Sequence, residues 1–202
     1  MNLRFELPHA IPGQRIGILG GSFNPPHSGH VLATLWSLKC FGLDRIWWLV
    51  SPGNPLKTER PSSMRLRIEA ASRMIRHPRV VVSNFEEVAG TNYTYRTVAE
   101  LTKKYPSTKF VWLMGADSLL QLHHWKNWNE IVRQVPIGVI ARPGNNTPAR
   151  FSAAAARYKR FKIPQELSRA LPYREPPAWT LINLPMDPIS STSIRREGRW
   201  NS

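Results

Sequence analysis

The segment Gly20-Gly21-Ser22-Phe23-Asn24-Pro25-Pro26-His27-Ser28-Gly29-His30 sets two imidazoles three residues apart behind a pair of glycines. Glycine lets backbone N–H groups approach phosphate oxygens closely, and a helix that begins here adds the positive end of its dipole. If the turn is helical, His27 and His30 share one face and offer two donors to one anion. The chemistry this suits is the handling of a phosphate group. Two other readings stand beside it. The same residues also make a glycine turn, a helix-starting proline pair and two surface histidines. A metal site begun by His27 and His30 is the second, although no Cys, Asp or Glu stands nearby in sequence to complete its coordination shell. At the far end of the chain, Ser190-Ser191-Thr192-Ser193-Ile194-Arg195-Arg196 looks like a helix start. Hydroxyls and backbone amides followed one turn later by an arginine would bind an anion as well. The plainer alternative is a capped terminal helix with a solvated arginine.

Short apolar runs alternate with longer segments of helical period, which predicts an α/β fold: a Rossmann-like doubly wound parallel sheet with flanking helices, in a single domain. The expected strands are Arg15 to Leu19, Arg45 to Val50, Val80 to Ser83, Phe110 to Met114, Ile137 to Ala141 and Thr180 to Leu184. The helix after the first loop is expected to bury Val31, Leu35 and Leu38. The next, capped by Ser62 or Ser63, is expected to bury Leu66, Ala70 and Met74 or Ile75, and a third runs from about Tyr93 to Tyr105. The histidine loop thus follows a strand and precedes a helix, where such a sheet binds its ligand. Between Asn145 and Pro177 an alanine run, Ala153 to Ala156, and a basic stretch are punctuated by prolines. One or two surface helices with loops are expected there, reinforcing anion attraction, packing locally, or forming a subunit contact in a homo-oligomer.

The chain has 202 residues, 42% hydrophobic and 20% charged, enough for one substantial core. Its 28 Lys and Arg outweigh 13 Asp and Glu, a formal charge of +15. Such a field concentrates phosphate-bearing partners without choosing among nucleic acid, an anionic membrane and a nucleotide. No run of about eighteen apolar residues occurs. Arg4, Glu6, Pro8 and His9 break up the first residues, so neither a membrane span nor a signal peptide is expected, and a cytoplasmic location follows. Cys40, the single cysteine, is expected to be a small buried thiol without chemistry.

Gly21 to His30 resembles the GSFxPxHxGH signature of the HxGH nucleotidyltransferases, and Ser190 to Arg195 resembles their carboxyl-terminal SSTxIR motif. Four further stretches look like the bacterial nicotinate-nucleotide adenylyltransferases: Pro52-Gly53-Asn54-Pro55-Leu56-Lys57, Asn92-Tyr93-Thr94-Tyr95-Arg96-Thr97, Gly115-Ala116-Asp117-Ser118-Leu119 and Trp125-Lys126-Asn127-Trp128. The likeness spans about residues 15 to 143 and 180 to 198. It implies one nucleotidyltransferase domain over 1–202: a core at 15–143, a basic helical insert at 145–177, and a terminal strand and helix at 180–202. The implied reaction transfers the AMP group of ATP to nicotinate mononucleotide, giving nicotinate adenine dinucleotide and pyrophosphate.

The resemblance assigns ATP contacts to Gly20, Gly21, Ser22, Phe23, His27, His30, Gly115, Asp117, Ser191, Thr192 and Arg195. Of these, His27, His30 and Arg195 would act on the reacting phosphates, with Mg2+ carried in by ATP rather than held in a metal site of the protein. It assigns nicotinate mononucleotide to Asn54, Lys57, Thr94, Trp125, Lys126 and Arg142. Trp125 would stack on the pyridine ring, and backbone amides near Thr94 and Lys126 would receive the carboxylate. A flat indole suits a flat heterocycle, and backbone donors suit a carboxylate better than an amide. Lys57, Arg65 and Arg142 are the candidate phosphate contacts. The loop departs from many relatives in carrying Pro55-Leu56-Lys57 where they show Pro-His-Lys. Plainer readings make Trp125 and Trp128 core aromatics, Asp117 a helix cap and Arg65 a solvated residue. As whole functions, the rivals are adenylylation of nicotinamide mononucleotide or phosphopantetheine, and nucleic-acid binding through the +15 charge, eight tryptophans and the basic 150–174 segment. Neither a nucleic acid nor a membrane is expected as a partner. The leading reading requires the histidine turn and the serine-arginine turn to face each other across one triphosphate.

Overall fold

The computed structural model describes residues 7–53, 61–141, 146–184, 194–195 and 200. The six apolar runs form strands β1 (Arg15–Gly21), β2 (Arg45–Val50), β3 (Val80–Ser83), β4 (Lys109–Gly115), β5 (Ile137–Ala141) and β6 (Trp179–Asn183). All neighbours pair in parallel, in the order β3-β2-β1-β4-β5-β6. These strands are apolar nearly throughout because helices cover both faces of the sheet. On one face lie α1 (Ser28–Cys40), α2 (Met64–Met74) and the 3-10 segment Gln165–Tyr173, bringing Leu38, Ile68 and Leu171 onto Trp48, Leu113 and Ile182. On the other lie α3 (Phe85–Val88), α4 (Thr94–Lys104), α5 (Ala116–Gln121), α6 (Trp128–Gln134), α7 (Asn146–Arg150) and α8 (Ala153–Arg157). There Val98, Leu119 and Ile131 pack onto Ile18, Trp112 and Val139. Strands β1 and β4 are neighbours, yet the helices that follow them leave toward opposite faces, which opens a crevice at their carboxyl ends.

Two helix faces differ from the sequence expectation. In α1 only Leu38 of the expected stripe is buried; Val31 is half-buried and Leu35 is 42% exposed. The inward face carries Gly29, Thr34 and Ser37 instead. Thr34 tolerates burial because its Oγ1 donates to the His30 carbonyl at 2.7 Å and accepts from Trp48 Nε1 at 2.8 Å. In α2 the cap is Ser63, whose Oγ accepts from the Leu66 amide. The buried stripe falls on Arg67, Ile68 and Ala71, one residue after the expected Leu66 and Ala70; of the two residues offered for its end, Ile75 is buried and Met74 faces solvent. Cys40 is half-buried rather than buried.

The basic segment is part of the body of the molecule rather than a surface appendage. Ala154 and Ala155 are buried. Trp179 Nε1 donates to the Tyr158 carbonyl at 2.9 Å, and the Ile163 amide donates to the Trp179 carbonyl at 2.8 Å. Arg157, Arg160 and Lys162 lie over the rings of Trp128, Phe161 and Trp179, so local packing accounts for that share of the charge. Among the described residues no helix is long and apolar enough to cross a membrane.

The start of β1 is tied to the turn before β2 by Arg15 and Asp44. The Arg15 amide and Nε donate to Asp44 Oδ2 at 2.8 and 3.0 Å, and Nη2 pairs with Oδ1. The Arg15 hydrogen bond holds the Asp44 carboxyl below the ordinary carboxylate range. The folded protein therefore binds that proton more weakly than the unfolded chain does. The contribution to stability is complete above the ordinary value of about 3.9 and is lost as pH falls through the folded value. Both side chains are about a third exposed, so the effect is modest. Asp44→Asn is expected to lower Tm by about 2 °C at neutral pH. Melts repeated toward acid should show that gap closing; a gap that persists would assign the loss to something other than the charge.

Candidate functional site

Near the end of β1 a Cβ on Gly20 would stand 3.0 Å from the Trp112 indole, closer than a side chain ordinarily packs. The chain then turns through Phe23, whose φ of 47° lies in the left-handed region and whose ring stacks on Trp48 at 4.8 Å. His27 caps α1 from an extended backbone and is almost wholly buried. Its amide donates to His30 Nδ1 at 3.2 Å, and the His30 amide donates back to the His27 carbonyl at 2.9 Å. The ring centroids lie 3.8 Å apart, so the two imidazoles do sit together as their spacing predicts. Because Nδ1 of His30 accepts a proton bond, the ring N–H of the neutral tautomer belongs on Nε2. Phe23, 4.9 Å from the His30 ring, supports it from the side.

Two partners of this loop come from far away in the chain. The Arg195 guanidinium donates to the Asn24 carbonyl, and Trp200 Nε1 donates to Asn24 Oδ1 at 3.0 Å. The carboxyl-terminal arginine therefore reaches the histidine loop. Arg67, 1% exposed, braces the same region from beneath. Its Nη1 donates to the carbonyls of Ser22 and Ser51, and its Nε to that of Ser62, each at 2.7 Å. One guanidinium thus joins the loop after β1, the end of β2 and the start of α2.

A cleft of about 430 Å³ opens at the carboxyl ends of the strands, and Gly20, Gly21, Ser22, Thr94, Trp125 and Lys126 are in its lining. Those six expected residues share one cavity. Phe23, His27 and His30 are not in its wall but on the adjoining stretch of chain, to which Arg195 is bonded. Gly115 and Asp117 are exposed at the end of β4, with Asp117 in the first turn of α5. Asn54, Lys57, Arg142, Ser191 and Thr192 lie outside the described residues. Thr94 is the first residue of α4, and Lys126 Nζ sits 4.9 Å from the centroid of the neighbouring Tyr93 ring, so the two arms of this wall touch.

Trp125 fits both of its readings, since it packs on the core and also faces the cleft. Trp128 fits the core reading, edge-on to Tyr158. Arg65 pairs with Glu69 at 2.9 Å on an exposed face, as the plainer reading has it. Four residues gave no sequence signal. Arg67 looks like any helix-surface arginine, and Glu86 belongs to a four-residue helix too short for a period to show. Trp112 looks like an ordinary strand residue, and Trp200 lies outside every motif.

Residues 18–197 match the family model described as cytidylyltransferase-like. The chain is 52% identical to a Ruegeria pomeroyi protein named "Probable nicotinate-nucleotide adenylyltransferase", over 99% of this chain and 94% of that one. A Roseobacter denitrificans protein of the same name is 48% identical, over 98% of this chain and 100% of its own length. Among solved structures, Plasmodium falciparum nicotinic acid mononucleotide adenylyltransferase complexed with NaAD matches with a TM-score of 0.65 at 20% identity, over 91% of this chain and 83% of that chain. At that identity the likeness is one of fold.

Proposed function

The chain belongs to the nicotinate-nucleotide adenylyltransferases of the cytidylyltransferase-like family, and from that premise we propose that it transfers the AMP group of ATP to nicotinate mononucleotide, releasing pyrophosphate and nicotinate adenine dinucleotide. The observation that carries the reading is Arg195 bonded to the Asn24 carbonyl. It brings a carboxyl-terminal cation to the loop that leads into the paired histidines, beside a cleft large enough for a second substrate.

The acceptor's 5′-phosphate is already an anionic nucleophile, so no strong general base and no covalent intermediate are needed. It attacks the α-phosphorus of ATP; the bond from that phosphorus to the bridging oxygen breaks, and pyrophosphate leaves with the electron pair. The protein's task is to align two polyanions and offset charge developing on the leaving group. In this reading His27, His30 and Arg195 supply that charge. The loop amides of Gly20 to Phe23, with Ser191 and Thr192, cradle the triphosphate, and Gly115 and Asp117 take the adenosine ribose. Trp125 stacks on the pyridine ring, amides near Thr94 and Lys126 receive its carboxylate, and Asn54, Lys57 and Arg142 hold the rest of the acceptor. ATP enters as its Mg2+ complex. In this reading the metal is held by the phosphate oxygens of ATP. We place the reaction in the cytoplasm, with neither a nucleic acid nor a membrane as partner.

Pyrophosphate release measured with ATP and each acceptor tests the proposal. Nicotinate mononucleotide should turn over with a kcat/KM on the order of 10² or more above that of nicotinamide mononucleotide, whose NH2 would face amide donors. Preference for the amide or for phosphopantetheine would overturn the acceptor assignment. Oligonucleotide binding with steep salt dependence and no turnover would move the protein to a different class.

A further inference from the structure

The carboxyl-terminal segment meets the histidine loop at a second point besides Arg195, one that the reaction as derived does not use. Trp200, half-buried, directs its indole N–H between two acceptors, Asn24 Oδ1 at 3.0 Å and Ser62 Oγ at 3.1 Å. An indole nitrogen only donates, so the direction of both bonds is fixed. The Ser62 amide donates to the same Asn24 Oδ1 at 3.3 Å, and two donors converging on that atom identify it as the oxygen of the side-chain amide. Ser62 is itself buried, and its carbonyl accepts from Arg67 Nε at 2.7 Å. Asn24 is thus held through its side chain by Trp200 and Ser62, and through its carbonyl by Arg195.

We propose that Trp200 is a positioning residue for the triphosphate: its indole N–H clasps Asn24 to Ser62 and so fixes the stretch of chain that carries His27 and His30. This rests on the assignment of ATP to that loop above. The coupling is short. Only Pro25 and Pro26 separate Asn24 from His27, and a proline ring fixes φ, so a displacement of Asn24 passes to the cap of α1 with little slack. The same clasp keeps the Asn24 carbonyl where Arg195 donates to it. Ahead of Asn24 the loop is already fastened, because Arg67 Nη1 holds the Ser22 carbonyl. Trp200 therefore secures the half of the loop that Arg67 does not bond. Its two acceptors, Asn24 and Ser62, are not in the lining of the cleft assigned to the acceptor, so its influence falls on one substrate rather than on both.

Trp200→Phe keeps an aromatic ring and removes the N–H. It is expected to raise KM for ATP on the order of tenfold, leaving KM for nicotinate mononucleotide within about twofold. Asn24→Leu, which removes the acceptor, should give the same split, and the double variant should lose less than the sum of the two, because both changes delete one interaction. An unchanged KM for ATP, an equal rise for both substrates, or fully additive losses would overturn the inference. In the substrate-free enzyme, the indole resonance that Trp200→Phe removes from a proton–nitrogen correlation spectrum should exchange its proton with solvent on the order of tenfold or more slower than free tryptophan does. Exchange at the free rate overturns the clasp, and this measurement stands even if Asn24→Leu does not fold. A wild-type enzyme that does not use ATP removes the proposed function instead, while the indole resonance still decides whether the clasp forms.

Discussion

Replacing His30 by alanine is expected to leave the fold in place and to lower kcat by a factor on the order of 10² to 10³, the scale of losing one preorganised donor to a developing anion. The structure explains why the two effects separate. The His30 ring lies among Phe23, His27 and Trp48, and its tie to the α1 backbone is at the cap. What disappears locally is the acceptor for the His27 amide, a capping interaction worth about 1 kcal/mol. Circular dichroism and Tm should therefore change little while single-turnover rates collapse. A variant turning over at nearly the normal rate would take His30 out of the mechanism.

Arg67→Met is expected to give a large loss of stability. Three carbonyls, those of Ser22, Ser51 and Ser62, share one buried guanidinium. A methionine fills much of the volume and satisfies none of them. Leaving several buried acceptors without donors predicts a cost of about 3–5 kcal/mol. Lysine should recover only part of this, because a single ammonium cannot reproduce the planar fork. Urea unfolding measures the loss directly. Activity should fall for both substrates, since the brace joins the β1 loop to the loop after β2. If the methionine variant matched wild-type stability, the carbonyls would have found other donors and the brace would carry no weight.

The strands were legible because each is a continuous apolar run, the mark of a sheet covered on both faces, and the histidine loop because its residue types are unusual at that spacing. The helices were less so. Apolar periodicity misplaced the inner face of α1, where Thr34 earns its buried position through two hydrogen bonds, and shifted α2 by one residue because Arg67 points inward. Both failures have one cause: a polar residue buried with its partners looks, in sequence, like a solvated one. Glu86 was hidden for the same reason, since its partner Thr97 sits on a separate helix.

The divergence of the connections after β1 and β4 has a further consequence. The turn that would grip the triphosphate follows β1, whereas the arms that would select its partner follow β3 and β4, and the helices they lead into lie in the opposite layer. Natural drift or laboratory grafting can therefore revise the stretch from Glu86 to Thr97 and that around Trp125, retuning one substrate, while the grip on the other stays as it is.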